Sequence, residues 1–192
     1  MDPVTIDSLA IASTRLRVAG LREADLSRPT VNPGWDVRFL VAHLVGGCLL
    51  YAGALRGETV DWATRNRQTI TDSLGQFDAA ATELNEAIGA LDDRRRPVTI
   101  PAGTVPATLA IAVHATDMLV HGWDLAVATG QDRALDPDLC EAAAAIIGQF
   151  PASAWGNPKF YADRVHTDSA DPADRLVALT GRDPRHHLDG GR

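Results

Sequence analysis

At 192 residues, with 45% apolar and 22% charged side chains, the chain holds enough material for one domain with a substantial core. A balance of 18 basic against 25 acidic residues gives a formal charge of −7 with no basic stripe, which excludes a nucleic acid partner. Two cysteines, Cys48 and Cys140, are too few for a disulfide framework and no signal-peptide pattern precedes the first helix, so a reducing cytoplasm is the expected setting.

The first helical period runs over 4–25 through Ile6, Leu9, Ser13, Leu16 and Gly20, and Pro29 and Pro33 end it. Asn32-Pro33-Gly34-Trp35 reads as a turn, and Asp36 is placed to cap a second helix over 37–55. That helix has only Arg38 and His43 as ionisable groups, so His43 is expected in the interior. Gly46 and Gly47, one turn on, cost helix stability but admit the close approach of another helix. After a polar, irregular stretch over 56–68, residues 69–91 resume the period as an amphipathic surface helix.

Residues 97–106 are expected to form a loop, because prolines at 97, 101 and 106 weaken the case for an extended segment. A fourth helix runs from Pro106 to a stop at Gly130, and a fifth from Asp136-Pro137 to about Phe150. The aperiodic 151–169 stretch reads as a long loop over the core, 173–180 as a short last helix and 185–192 as a flexible tail. The fourth helix is long enough to span a bilayer. It carries two aspartates and two histidines, however, which argues for a core helix and no membrane. The expected fold is an all-α four-helix bundle with one or two additional C-terminal helices, a single domain over 1–184, and the second and fourth helices as its inner pair. The small residues Ala112, Ala115, Gly122 and Ala126 leave the fourth helix no solvent face, so the fifth helix or the partner of a homodimer should cover it.

The ionisable groups of that fourth helix are His114, Asp117, His121 and Asp124, spaced so that all share one face at about 100° per residue. Buried charge must be paired, hydrogen-bonded or bound to metal. Asp117 and His121, four residues apart, can reach one ion, and His43 from the facing helix would be a third ligand. Three ligands on two rigid helices leave coordination positions open, as in a catalytic zinc site; without thiolate, nickel, iron or manganese are suited as well. His114 is a candidate fourth ligand, outer partner or proton shuttle, and Asp124 a candidate to fix the His121 tautomer or to bond an arginine. The same residues also make sense as a hydrogen-bonded polar network in the core. Cys48 points about 140° away from His43 on its helix and is assigned to packing, as is Cys140. The Arg94-Arg95-Arg96 run reads as a solvated helix end, and Trp35 and Trp123 as core or boundary packing near the pocket mouth.

Three longer words add to this. Gly34-Trp35-Asp36-Val37-Arg38-Phe39-Leu40-Val41-Ala42-His43-Leu44 resembles the first signature of the mycothiol-dependent maleylpyruvate isomerase branch of the DinB-like superfamily. Thr116-Asp117-Met118-Leu119-Val120-His121-Gly122-Trp123-Asp124 is similar to its second, and Asp174 to Pro184, with Gly181-Arg182, to its closing segment. The resemblance covers about residues 5–184 and does not extend to the isomerase's C-terminal domain. It implies a four-helix bundle holding a divalent metal on His43, Asp117 and His121, where other DinB-like proteins carry histidine in place of Asp117. It further implies a small thiol cofactor, mycothiol, whose sulfur binds the metal and attacks a small electrophilic substrate. His114, from its place on the fourth helix, is the candidate catalytic proton carrier for that step. A metal-dependent hydrolase, and a non-catalytic metal-binding or regulatory dimeric module, are the rival readings.

Overall fold

The computed structural model describes residues 1–150 and 162–186. Six helices occur among them: α1 (Pro3–Ala19), α2 (Val37–Arg56), α3 (Ser73–Gly89), α4 (Ala107–Thr129), α5 (Pro137–Ile147) and α6 (Pro172–Leu179). Aspartates cap five of these helices. Asp2, Asp36, Asp72, Asp136 and Asp171 each accept from backbone N–H groups of the first turn that have no partner within the helix. The expected 4–25 helix stops at Ala19, and its last residues form a separate 3₁₀ turn, Glu23–Asp25. Asp25 holds that turn through Arg22 and the Arg22 backbone N–H.

The loop expected over 97–106 is instead an antiparallel hairpin, β1 (Pro97–Ile100) and β2 (Gly103–Pro106). Its prolines do no harm because Pro97 and Pro106 pair at the open end and Pro101 lies in the turn, where no ladder N–H is required. Val98 and Ile100 alternate inward to the core. The 151–161 part of the expected loop and residues 187–192 of the expected tail lie outside the described residues.

α4 is buried along almost its whole length, and the contacts explain its composition. Its most extensive neighbour is α1, with α2 and α5 on other faces. Thr14 on α1 donates to the Met118 carbonyl at 2.7 Å, with Gly122 leaving room beside it. The small back of α4 is therefore covered by α1 and α5 of the same chain. α2 is apolar enough and long enough to cross a membrane, yet 78% of its apolar window is buried against the other helices. Between α1, α2 and α4 lies the core around Leu40, Leu44, Ile111, Met118 and Leu119. α2 and α4 thus face each other with His43 and the 117–121 turn at one end of their contact.

Candidate metal centre

His43, Asp117 and His121 come together so that one ligand atom from each lies within 4.8 Å of the others. His121 Nε2 is 3.4 Å from Asp117 Oδ1, and His43 Nε2 is 3.7 Å from Asp117 Oδ2. Tetrahedral coordination with bonds of about 2.0–2.2 Å puts neighbouring ligand atoms roughly 3.4 Å apart, so the carboxylate already stands at the right spacing from both rings. The two rings meet edge to face with centroids 4.8 Å apart.

Each imidazole is anchored from behind through its Nδ1. His43 Nδ1 donates to Asn66 Oδ1 at 2.8 Å, and His121 Nδ1 donates to Asp124 Oδ2 at 2.8 Å. Both Nε2 atoms are thereby directed at the shared carboxylate, the arrangement of histidines that ligate metal. Among the described residues His43 Nε2 is buried and makes no hydrogen bond, an orphaned acceptor of the kind a cation would satisfy. The donor set and this unpaired nitrogen fit a divalent ion.

Asp124 is the hub behind His121. It is fully buried and accepts from Arg182 Nη2 at 2.8 Å and from Asn32 Nδ2 at 2.9 Å, and Arg182 Nη2 also donates to Asn32 Oδ1 at 3.0 Å. A buried carboxylate bonded to a guanidinium, an amide and an imidazole is well satisfied. The turn before α2 and the segment after α6 are thus tied to the back of the same ring. The 29–36 turn also delivers Trp35, whose ring packs on His43 at 4.8 Å and stacks near His121 at 5.9 Å. Trp35 is therefore part of the site wall. Trp123, in contrast, lines a surface groove of about 410 Å³ with Gln131, Arg133 and Asp174.

Electrostatics divide the two imidazoles. Burial, and then the Arg65 cation, push His43 down to about 4, so its ring is neutral and ready to ligate. Burial also works against charge on His121, but the Asp117 and Asp124 carboxylates outweigh it and raise its pKa. Burial would likewise raise Asp117; the neighbouring Arg65 and His121 instead hold it well below the ordinary carboxylate range.

Arg65 and Asn66 carry no signal in the sequence, since they belong to the polar 56–68 stretch without period. The Arg65 guanidinium binds Asp117 Oδ2 through Nη2, and its Nε donates to the His43 carbonyl at 3.3 Å. Gly46 and Gly47 receive this segment and not another helix, as the sequence had suggested. A Cβ on Gly46 would collide with the Arg65 carbonyl oxygen, and one on Gly47 would stand 2.6 Å from Arg65 Nη2. Asn32 and Arg182 do lie in recognisable words, the turn before Trp35 and the Gly181-Arg182 pair, but nothing local shows that they meet. The need of Asp124 for a buried cation was the available clue.

His114 faces away from the trio. Its Nδ1 is 2.6 Å from Asp7 Oδ1 on α1, its Nε2 is 3.6 Å from Cys48 Sγ, and its ring meets Tyr51 edge-on at 4.9 Å. His114, Asp7 and Cys48 are all fully buried. Cys48 packs in the core as expected, beside the imidazole.

A model of the mycothiol maleylpyruvate isomerase N-terminal domain matches residues 8–126, a span that includes all three candidate ligands. Two proteins of Mycobacterium tuberculosis, "Uncharacterized protein Rv0738" (strain ATCC 25618 / H37Rv) and "Uncharacterized protein MT0763" (strain CDC 1551 / Oshkosh), are each 32% identical over 190 residues, covering 96% of this chain and 100% of theirs. Among solved structures, the mycothiol-dependent maleylpyruvate isomerase superposes with a TM-score of 0.61 at 19% identity, and a point mutant of it with 0.64 at 18%. Each match covers 76% of this chain but only 66% of the isomerase, just under two thirds of its length. At that identity the likeness concerns the fold, and the helical bundle is the one these structures share. By the span of the family match, the chain belongs to the family of the mycothiol maleylpyruvate isomerase N-terminal domain.

Proposed function

We propose that the protein binds a divalent metal, zinc in the first instance, on His43, Asp117 and His121, and uses it to activate a small thiol of the mycothiol type toward a small electrophile. The observation that carries the metal is the buried, unbonded Nε2 of His43, aimed at a carboxylate that a second anchored imidazole also faces. The thiol rests on family membership and on a site with three protein ligands and positions to spare. An ion held there supplies positive charge that lowers the pKa of a thiol placed beside it.

The chain's own residues then have defined tasks. Asn66 and Asp124 fix the two rings so that little reorganisation is needed when the site is filled. Trp35 forms an apolar wall over both rings and restricts water on that side. Asp117, with its side chain 16% exposed, is the most open of the three and marks the side from which a ligand enters. His114, held by Asp7 in the core, orients the middle of α4 rather than the reacting groups. A cytoplasmic location accords with a reduced low-molecular-weight thiol as partner.

Metal analysis and cobalt titration of the wild type beside His43→Ala and His121→Ala test the proposal. The wild type should bind about one equivalent and each variant should lose about 100-fold or more in affinity, as expected for removal of one of three ligands. A thiol added to the cobalt protein should then bring up a sulfur-to-metal charge-transfer band. Equal metal content in all three proteins would remove the site. A cobalt spectrum indifferent to thiol would leave a metal site serving hydrolysis or a non-catalytic role.

A further inference from the structure

Arg65 presents its guanidinium to the carboxylate that the proposed ion needs. Asp117 has two oxygens: Oδ1 faces His121 Nε2, while Oδ2 faces His43 Nε2 and binds Arg65 Nη2. A cation ligated by His43 and Asp117 and the Arg65 guanidinium therefore compete for one oxygen. Both carry positive charge in a place where the Arg65 and Asp117 side chains are only 15% and 16% exposed, so solvent screens their repulsion weakly.

The segment that brings Arg65 is fixed independently of this contact. Trp62 packs edge-on against Tyr51 at 5.0 Å, Asp61 caps the short turn Trp62–Thr64, and the Arg65 backbone sits in the notch left by Gly46. Asn66, the next residue, holds His43. The backbone is thus pinned on both sides of Arg65, and the side chain, which Nε also ties to the His43 carbonyl at 3.3 Å, is the part that can swing about that tie. Its guanidinium can withdraw from Oδ2 while the rest of the segment stays to hold His43.

We infer that Arg65 is a displaceable internal cation: it neutralises Asp117 when the site holds no metal and gives up Oδ2 when a divalent ion binds. This rests on the metal site proposed above. It makes metal affinity a difference between two cations for one carboxylate, and it keeps the metal-free bundle from leaving a buried aspartate unpaired.

The test compares the full-length wild type, Arg65→Met and Arg65→Lys by cobalt affinity and by thermal melting with and without cobalt. Arg65→Met, which removes the competitor, should bind cobalt about tenfold or more tightly than wild type. Arg65→Lys, which retains a cation, should stay within about threefold of wild type. Without metal Arg65→Met should melt below wild type, and saturating cobalt should close that gap. Weaker or unchanged cobalt binding in Arg65→Met overturns the inference, the former by making Arg65 a support for the ligand. If Arg65→Met does not fold, a cobalt affinity for Arg65→Lys more than tenfold below wild type overturns it equally. Absence of cobalt binding by the wild type itself would instead strike the metal site, so the two failures are told apart.

Discussion

Replacing Asp7 with asparagine should remove a pH dependence of stability that the fold otherwise carries. His114 is fully buried, and burial alone would lower its pKa; the Asp7 carboxylate 2.6 Å from Nδ1 overrides this and raises it to about 10. An unfolded histidine titrates near 6.5. Below about pH 6.5 both states hold the proton and the stabilisation is fully present; above it only the folded state does, so stability is lost as pH rises through the folded pKa near 10. The slope approaches about 1.4 kcal/mol per pH unit, or roughly 3 kcal/mol between pH 6.5 and 9. Against a total of about 5–15 kcal/mol for a domain this is a large share. His121 is also raised and adds a slope of the same sign, so the informative quantity is the difference between proteins. Urea unfolding at half-unit steps from pH 6 to 9.5 should show wild type losing stability faster than Asp7→Asn, whose ΔG at pH 6.5 should already be lower by about 3 kcal/mol. Parallel pH curves for the two proteins would refute the buried charged pair.

Asp124→Ala should lower cobalt affinity by about 10–100-fold although the residue touches no ligand position, because His121 loses the acceptor that orients it. Equilibrium titration against a chromophoric chelator reads this, and an unchanged constant would deny Asp124 its role. Gly46→Ala should destabilise the fold by about 1–3 kcal/mol in urea, since its methyl group must push the Arg65 backbone out of its notch. The same variant should weaken the His43–Asn66 bond and with it the metal; a protein with wild-type stability would show that the segment is held elsewhere.

The fold and the three candidate ligands were legible for one reason. α2 and α4 are so poor in charge that His43, Asp117 and His121 stand out against apolar surroundings, and helical spacing alone sets two of them side by side. Asp124 was legible as the partner of the His121 ring and of an arginine, but Asn66, Arg65 and the identity of that arginine, Arg182, were not, because they reach the site only through tertiary contact. His114 shows the limit of spacing arguments. It shares a face with Asp117 on a helical wheel, yet a helix packed on three sides gives adjacent turns different neighbours, and α1 brings Asp7 to His114. The hairpin was obscured by counting prolines without weighing their positions at the ends and turn.

The guanidinium that compensates Asp124 is translated 58 residues after it. Until that distant segment docks, the buried Asp124 carboxylate behind the His121 ring lacks its cation. The backing of the His121 ring is thus complete only when the segment after α6 is docked, and a chain with that segment displaced would hold this candidate ligand loosely.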